Sequence, residues 1–372
     1  MRLIRHPVLA NYYLTYRCNA ACSFCDIWEK PSPYVTPESV ERNLRDLRRL
    51  GVRIIDFTGG EPLLHRHLPR FLEMAQRMGF LTTVTTNGLL YPKRAYELRG
   101  KVDMLHFSLD AASAQKHDAL RGGVPCFAFV QESLKIASRL GEKPDILFTV
   151  TPENWNEIEE VYRKFVAPYK LILILNPIFA YNAVGTSLLP AEALHALERW
   201  GRRPDVYLNT AFLRLRATGG NQTIRPVCRA STATVVISPE DRLLLPCYHA
   251  HEAGYSFPIE GRLYDLYRSQ YVRHLQKLEG RWRFCEGCVI NCYMEPSFAV
   301  EISPYFWSSL PSTLCYAWRK WGLLGSLRLL GRPLKGWGRE QAQRLRRWFS
   351  FPPKKKGAGF RPAPAEVPLS MS

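Results

Sequence analysis

The 372-residue chain has no long hydrophobic run, and it contains far fewer acidic than basic residues. No apolar stretch approaches the roughly 18 residues of a membrane-spanning helix, so the sequence excludes an ordinary transmembrane protein. The N-terminus carries one short apolar patch without a small-residue cleavage site behind it, which argues against a secretory signal. No internal repeat with a period of about 20–50 residues is visible, so solenoid and propeller folds are not indicated.

The cysteine content suggests a compartment and a chemistry. Ten cysteines without a secretory signal favour a reducing, cytoplasmic environment, where clustered thiols more often bind metal than form disulfides. Hydrophobic residues make up 46% and charged residues 23%, which is ordinary for a globular protein and excludes disorder throughout. The length allows about two domains.

Positive charge is concentrated near the C-terminus. The chain carries 51 Lys and Arg against 33 Asp and Glu, a net charge of +18, and the segment from Arg319 to Lys356 supplies much of it. Five of the nine tryptophans also fall late, at Trp307, Trp318, Trp321, Trp337 and Trp348. We therefore expect a folded body followed by a basic, aromatic tail, with the Pro-rich last dozen residues disordered.

The first two-thirds of the body alternates strand-like and helix-like segments. Six strands are predicted, at Tyr12–Thr15, Arg53–Phe57, Leu81–Thr85, Met104–Leu109, Ile146–Val150 and Leu171–Leu175. Helical patterns lie between them; that from Glu38 to Gly51 ends at a glycine. This alternation predicts an α/β fold with a parallel sheet and right-handed crossovers, either open or curled into a barrel. In such barrels, chemistry collects in the loops after the strands.

Three cysteines follow the first predicted strand. Cys18, Cys22 and Cys25 have the spacing C-x3-C-x2-C. Three thiolates on one short loop can hold a four-iron cubane and leave one iron without a protein ligand, which a cofactor could then bind. A zinc site is an alternative, although structural zinc usually takes four ligands and no fourth lies nearby. A trio of structural cysteines is the other alternative.

Polar motifs also follow the next three strands. Thr58–Pro62 reads TGGEP, in which two glycines permit close backbone approach and Glu61 can accept from an ammonium group. The third strand leads into Thr85–Gly88, and the fourth carries Ser108 and Asp110 on one side. Each motif alone is compatible with an ordinary turn or strand end. Their positions after successive strands of one sheet, beside the cysteine loop, favour a shared site.

Together these motifs resemble those of the radical S-adenosylmethionine (SAM) superfamily, over about residues 8–200. The resemblance implies a partial (β/α)6 TIM-like barrel with a 4Fe-4S cluster on Cys18, Cys22 and Cys25, and with SAM bound to the open iron. It further implies cofactor contacts from residues of the polar motifs and from the aromatic residue before the last cysteine: Phe24, Gly59, Gly60, Glu61, Ser108 and Asp110. Reductive cleavage of SAM would yield a 5′-deoxyadenosyl radical that attacks an unactivated carbon, and no catalytic side chain is assigned.

A second group of cysteines follows. Cys228 and Cys247 flank a segment that reads as a β-hairpin turning at Pro239–Asp241, and FCEGCVINCYMEP then adds C-x2-C-x3-C. Four thiolates suffice for a further cluster or for zinc. The segment resembles the SPASM/Twitch extensions of the superfamily, but it has Arg242 where glycine is common and lacks the longer cysteine array.

The resemblance therefore favours one auxiliary 4Fe-4S cluster rather than two. Its expected ligands are Cys228, Cys247, Cys285 and Cys288, with Cys292 as an alternative or extra ligand. Cys126 and Cys315 are expected to be buried small hydrophobes, although Cys315 could join a second cluster. The predicted domains are a radical SAM core at 1–205, a SPASM/Twitch-like domain at 206–300 and the tail at 301–372.

The tail bears on the substrate. It is interpreted as a helix packed on the body, as an amphipathic contact with the inner, anionic face of the membrane, or, least favoured, as a nucleic-acid contact. The tail favours a lipid or isoprenoid substrate, and CEGCVINCYMEPS weakly resembles an element of hopanoid-modifying radical enzymes. A ribosomally made peptide is the alternative, and a non-catalytic iron–sulfur electron carrier or scaffold is an alternative of another class.

Further expectations concern partners. The chemistry needs an external electron donor of the ferredoxin or flavodoxin type. Because the first strand begins near residue 11, we expect neither a leader-peptide recognition domain nor a cobalamin-binding domain before the barrel.

Overall fold

The protein is described by a computed structural model that covers residues 2–179, 189–250 and 254–331. Its central feature is a ten-stranded sheet in the order β10-β9-β8-β1-β2-β3-β4-β5-β6-β7. The strands are β1 Leu9–Tyr13, β2 Ile54–Thr58, β3 Leu81–Thr86, β4 Met104–Ser108, β5 Asp145–Val150, β6 Leu173–Pro177, β7 Val206–Tyr207, β8 Thr234–Ile237, β9 Arg242–Leu245 and β10 Tyr255–Pro258. Strands β1 to β7 pair in parallel, each with the next along the chain.

Helices connect these strands and follow the last of them. They are α1 Pro37–Leu50, α2 Leu68–Arg77, α3 Tyr91–Leu98, α4 Ala114–Leu120, α5 Cys126–Arg139, α6 Ile158–Val161, α7 Ala191–Trp200, α8 Thr210–Ala217, α9 Ala230–Ala233, α10 Leu263–Arg268, α11 Gln270–Lys277, α12 Asn291–Val300 and α13 Pro304–Gly331. Helix α1 begins where the Thr36 side chain accepts from the Ser39 amide at 3.2 Å, and it ends at Gly51 with φ 94°. A left-handed backbone conformation at that position favours glycine.

The α/β fold and the six predicted strands are confirmed. The first strand was predicted too late, because β1 begins at Leu9 and pairs with β2 from that residue onward. Helical sequence pattern and terminal glycine correctly placed α1 within one residue. The predicted hairpin between Cys228 and Cys247 is also present as β8 and β9, with Asp241 at φ 58° in the turn.

The hairpin extends the main sheet. Strand β8 pairs in parallel with β1, opposite the side on which β2 pairs, and β9 and β10 continue outward antiparallel. The second cysteine group therefore lies on elements continuous with the barrel sheet. The domain boundary at 205/206 stays a prediction, and the sheet runs across it through β7.

The two faces of the sheet differ in polarity. Alternation along β2 places Ile55 and Phe57 in the main core, where helices cover them. Asp56 lies between them in sequence and so points to the opposite, inner face. On β4 and β5 the same alternation places His106 and Asp145 on the inner face. The inner face therefore carries polar side chains, while the outer face forms the hydrophobic core.

Helix α13 packs against the body. Asp145, which is only 1% exposed, accepts hydrogen bonds from the Tyr316 hydroxyl at 2.7 Å and from Lys320 Nζ at 2.8 Å. His106 Nε2 lies 3.6 Å from the same carboxylate. Burial is the main reason why the pKa of His106 is lowered to about 4; the Asp145 charge opposes this shift, and the Lys320 charge contributes to it. Lys320 is thus the cation that compensates Asp145.

The expectation of a packed helix is confirmed for this part of the tail. The helix leaves helical geometry at Gly322, with φ 66° and ψ 178°. Its outer side exposes Trp307, Leu314 and Trp318, each 60% accessible. The expectations for Trp337, Trp348, Lys354–Lys356 and the Pro-rich end lie outside the described residues. No helix within the described ranges is long and apolar enough to cross a bilayer.

The predicted burial of two cysteines has a mixed outcome. Cys126 is fully buried, as predicted. The prediction was wrong for Cys315, whose side chain is exposed on α13. Its Sγ donates to the Pro204 carbonyl at 3.6 Å.

Replacing Lys320 should destabilise the chain strongly. In Lys320→Met, the buried Asp145 carboxylate keeps its hydrogen bond from Tyr316 but loses its cation. Removing one partner of a buried ion pair costs about 3–5 kcal/mol. Urea unfolding should show this loss. Arg319→Met, at the exposed neighbouring position, is the matched control. Equal free energies of unfolding for the two variants would contradict the proposed role of the pair.

Candidate functional site

The loop that carries Cys18, Cys22 and Cys25 follows β1 at the carboxyl edge of the sheet. It has little regular secondary structure, and a turn bond joins the Cys25 amide to the Cys22 carbonyl at 3.1 Å. Cys22 packs with Ala20 and Cys126 in a small buried cluster, and Cys18 and Cys25 pack against it. The structure therefore brings the three predicted cysteines together.

The glycines of the TGGEP motif hold this loop closely. The Gly60 amide donates to the Thr15 carbonyl and the Glu61 amide to the Arg17 carbonyl, both at 2.9 Å. A Cβ atom on Gly59 would lie 2.1 Å from the Thr15 oxygen, and one on Gly60 would lie 2.2 Å from the Arg17 oxygen. Only glycine permits this approach, so the motif fixes the backbone immediately before Cys18.

The Glu61 carboxylate is buried and bonded to backbone. Its Oε1 accepts from the Leu63 amide at 3.0 Å, and its Oε2 accepts from the Asn87 amide at 2.9 Å. Burial raises its pKa to about 7, and these two bonds oppose the shift. Glu61 thus joins the loops after β2 and β3. Its predicted contact with the SAM amino group stays a prediction.

Arg121, the residue directly after α4, supports the cysteine loop. Its guanidinium donates to the Asp110 carboxylate and lies 3.5 Å from Cys22 Sγ. The Ala21 amide donates to the Arg121 carbonyl at 3.3 Å. Burial by itself lowers the pKa of Arg121, but Asp110 and Cys22 more than offset this, so the net pKa is raised and the cation persists. Sequence analysis missed this residue because no local motif surrounds it.

The other predicted cofactor contacts lie around this loop. Asp110 is fully buried, and besides Arg121 it accepts from the Thr149 amide at 2.8 Å, so it is bonded to protein. Ser108 is buried at the end of β4. The centroid of the Phe24 ring lies 5.4 Å from the guanidinium carbon of Arg121. Asn87, a residue of the third loop that was not assigned a role, lies 3.9 Å from Cys18 Sγ through its side-chain amide. The cofactor contacts assigned to Phe24, Ser108 and Asp110 stay predictions.

The second cysteine group also comes together. Cys228, Cys247 and Cys288 lie in one hydrophobic cluster with Tyr13 and Tyr248, and Cys285 is buried nearby. Burial raises the pKa of Cys228 well above its ordinary value, and electrostatic interactions with the thiols of Cys288, Cys285 and Cys247 add to this. The four expected ligands are therefore mutual neighbours.

Asn221 organises the backbone of this group. Its side-chain amide donates to the Gly280 carbonyl at 2.8 Å and to the Cys285 carbonyl at 3.0 Å. Its Oδ1 accepts from the Cys228 amide at 3.0 Å, and its own amide donates to the Cys288 carbonyl at 3.0 Å. Asn221 is fully buried, and it bonds two of the four expected ligands through its side chain and a third through its backbone amide. No motif in the sequence marks this residue.

Cys292 differs from these four. Its side chain is solvent-accessible at the start of α12, and its Sγ lies 3.7 Å from His249 Nε2. Its protein surroundings raise the pKa of the thiol, with the charges of Cys288 and Asp56 as further causes. Cys292 thus lies between the second group and Asp56 on the inner face. Its role as an extra ligand stays a prediction.

Both groups of cysteines offer thiolates that suit an iron–sulfur cluster. All ten cysteines fall in the described residues and are free thiols. Burial raises the pKa of Cys18 and of Cys285 to about 12, so a cationic partner such as iron is needed to keep them ionised. Across the described ranges, no three His, Cys, Asp or Glu side chains already form a metal-ion site. The ligand assignments stay predictions.

Comparison with known proteins identifies the family. Residues 12–165 match the family model described as the Radical SAM superfamily. Residues 12–165 thus form a Radical SAM domain, and the solved structures described below share the fold of the chain. The superfamily uses a 4Fe-4S cluster with SAM, and SPASM relatives carry auxiliary clusters.

Individual curated relatives match only part of the chain, at low sequence identity. The chain is 29% identical over 164 residues to the antilisterial bacteriocin subtilosin biosynthesis protein AlbA of Bacillus subtilis, covering 42% of this chain and 36% of AlbA. The chain spans between about a third and a half of the length of the curated relatives it matches.

Solved structures share the fold. SuiB of Streptococcus suis bound to precursor peptide SuiA has a TM-score of 0.58 at 18% identity, covering 73% of this chain and 66% of SuiB. Native anSMEcpe with bound AdoMet has the same TM-score at 17% identity, and the match covers 88% of this chain and 100% of the anSMEcpe chain.

Changing the amide of Asn221 to an acid should disrupt the second cysteine group. Asn221→Asp loses both side-chain donors and buries a carboxylate, and each lost buried hydrogen bond costs about 1–3 kcal/mol. We expect iron and acid-labile sulfide to fall by about half in anaerobically reconstituted protein, because only one of two clusters would assemble. Gln222→Glu makes the same chemical change at the exposed next position and should leave the content unchanged. Full content in Asn221→Asp would contradict this role.

Proposed function

We propose that the chain cleaves SAM reductively at a 4Fe-4S cluster on Cys18, Cys22 and Cys25 and uses the resulting radical to modify a carbon of a peptide substrate. The observation that carries the proposal is the convergence of three loops on the cysteine loop. The Gly59–Glu61 backbone, Asn87 and Arg121 all contact it. Such a loop presents three soft ligands on one face and leaves the opposite side of a cluster for a cofactor.

The residues of the chain fix and shield this site. Gly59 and Gly60 hold the loop backbone, and Arg121 supplies positive charge beside the Cys22 sulfur. When bound, the reduced cluster and SAM supply a 5′-deoxyadenosyl radical that abstracts hydrogen from a nearby C–H bond. Because such a radical attacks whatever is nearest, the protein must position the target carbon and exclude water.

A peptide suits the inner face of the barrel. Asp56, His106 and Asn176 point there, and Glu295 and Asn291 of α12 approach it by bonding Tyr207 and Asn176 respectively. Burial raises the pKa of Asp56 to about 7. This polar lining, and the Asp56 carboxyl above all, offers hydrogen bonds to peptide amides, whereas an isoprenoid chain would desolvate the Asp56 carboxyl without bonding to it.

Similarity to proteins of peptide modification also supports this choice. AlbA is named for bacteriocin biosynthesis, and SuiB was solved with a precursor peptide. Because the chain spans only part of these proteins, the substrate is inferred jointly from the polar inner face and these similarities.

Cys22→Ala should abolish SAM cleavage. Loss of one of three ligands prevents cluster assembly at the first site, so reconstituted protein with dithionite and SAM should form no 5′-deoxyadenosine. Cys126→Ala is the matched control, since the buried Cys126 thiol packs in the same group of side chains as Cys22 but is not an expected ligand of the iron–sulfur cluster.

The control should keep SAM cleavage near the wild-type rate. Undiminished 5′-deoxyadenosine formation by Cys22→Ala would contradict the ligand assignment. If even the wild-type chain formed none, a non-catalytic electron carrier or scaffold would be favoured instead.

A membrane-associated lipid substrate is the second candidate. It is favoured by the exposed stripe of Trp307, Leu314 and Trp318 on α13, together with the basic sequence from Arg319 onward. Tryptophan beside basic residues suits an anionic membrane surface. Each basic residue near such a surface contributes about 1 kcal/mol.

Vesicle flotation tests this candidate. If the stripe contacts membrane, wild-type protein should float with vesicles containing phosphatidylserine, and the double variant Trp307→Ala, Trp318→Ala should float several-fold less. Neither change disturbs the Asp145–Lys320 pair, unlike truncation before Tyr316. Tyr96→Ala, at an exposed aromatic residue elsewhere, is the control. Equal flotation of wild type and the double variant would remove this support for a lipid substrate.

A further inference from the structure

Arg216 is a buried cation beside the second cysteine group. It lies near the end of α8 and is 8% exposed. Its Nη2 donates to the carbonyls of Pro177 at 3.1 Å and Ile178 at 3.0 Å, which brings the end of β6 against α8. Leu215, next to it on α8, packs in one hydrophobic cluster with Cys228 and Cys288, so the helix brings Arg216 beside this group. The Arg216 charge lowers the pKa of the Cys288 thiol, although burial of the thiol raises that pKa by more.

Most of this guanidinium has no partner among the described residues. Within them, Nε and Nη1 are buried without a hydrogen bond, and no Asp or Glu forms an ion pair with Arg216. Burial lowers its pKa to about 10, so it is still a cation at neutral pH. An uncompensated buried charge is strongly unfavourable, and a well-packed fold rarely keeps one without a counter-charge.

The first cysteine group provides a contrast. Arg121 also lies beside a cysteine sulfur, but its charge is compensated by Asp110. Arg216 has carbonyl oxygens as neighbours and cysteine as its only described anionic partner. Of these two arginines, only Arg216 therefore lacks a carboxylate partner among the described residues.

We propose that Arg216 is the counter-charge of the auxiliary cluster and raises that cluster's reduction potential above the potential of the SAM-binding cluster. The inference rests on the proposed function, since it needs a cluster on Cys228, Cys247, Cys285 and Cys288. Four thiolates give such a cluster a net negative charge, which becomes more negative on reduction. A fixed cation in a region of low dielectric stabilises the reduced form more than the oxidised form.

This charge arrangement sets a direction for electrons. A cluster of higher potential accepts an electron more readily, so the auxiliary cluster is suited to receive one from the substrate side rather than to supply one to SAM. Arg216 acts through the electrostatic potential at the cluster and touches neither substrate nor the reacting atoms, so it is a positioning residue.

A redox titration followed by electron paramagnetic resonance tests the inference on the full, anaerobically reconstituted chain. The variant Cys22→Ala removes the first cluster and identifies the auxiliary signal. In the wild type, the auxiliary cluster should have the higher midpoint potential. Arg216→Gln should shift that midpoint to a more negative potential, and Arg216→Lys should restore most of the difference. Arg214→Gln, on the exposed side of the same helix, should cause no shift.

The outcomes separate the inference from the proposed function. An auxiliary midpoint unchanged in Arg216→Gln would overturn the inference alone. If Arg216→Gln fails to assemble its cluster, the wild-type comparison decides, and an auxiliary midpoint at or below that of the first cluster would overturn the inference. Absence of any cluster signal in Cys22→Ala, with zinc bound instead, would overturn the auxiliary cluster itself. The iron content of each variant, measured alongside, distinguishes a shifted potential from lost assembly.

Discussion

The loop from Cys18 to Cys25 depends for its position on backbone contacts from its neighbours. The loop contains no strand or helix that would fix its backbone. Its three thiols must nevertheless converge within a few ångströms. Gly59 and Gly60 permit the TGGEP backbone to bond directly to Thr15 and Arg17, at distances that any Cβ atom would forbid. Glu61 then ties this motif to the following loop through the Asn87 amide. The site is thus assembled by interlocking loops at one edge of a parallel sheet.

Buried polar groups serve as the second means of support. Asn221 holds the second cysteine group through hydrogen bonds, and Asp145 holds α13 through Lys320 and Tyr316. In each case a fully or nearly buried side chain satisfies several partners at once, which makes it costly to remove. The body and the first part of the tail therefore form one packed unit, and the barrel's inner face stays polar. This polarity is what favours a peptide over a hydrocarbon substrate.

Local pattern and motif predicted much of this arrangement. Alternation of strands and helices placed the six strands, and the motifs C-x3-C-x2-C and TGGEP, each contiguous in sequence, predicted that the two loops carrying them lie together. Asn221 could not be found in this way, since its bond to Cys285 spans 64 positions. Arg216 and Arg121 are single basic residues without a motif, and only the tertiary structure brings them to cysteines. Cys315 was misjudged because a helical pattern alone does not tell which side of α13 faces the body.

The most direct test of the account is the iron, sulfide and zinc content of the full chain, reconstituted anaerobically. Two separate cysteine groups predict about eight iron and eight sulfide per chain, with the absorption of 4Fe-4S clusters and no bound zinc. Stoichiometric zinc with little iron or sulfide would contradict the account.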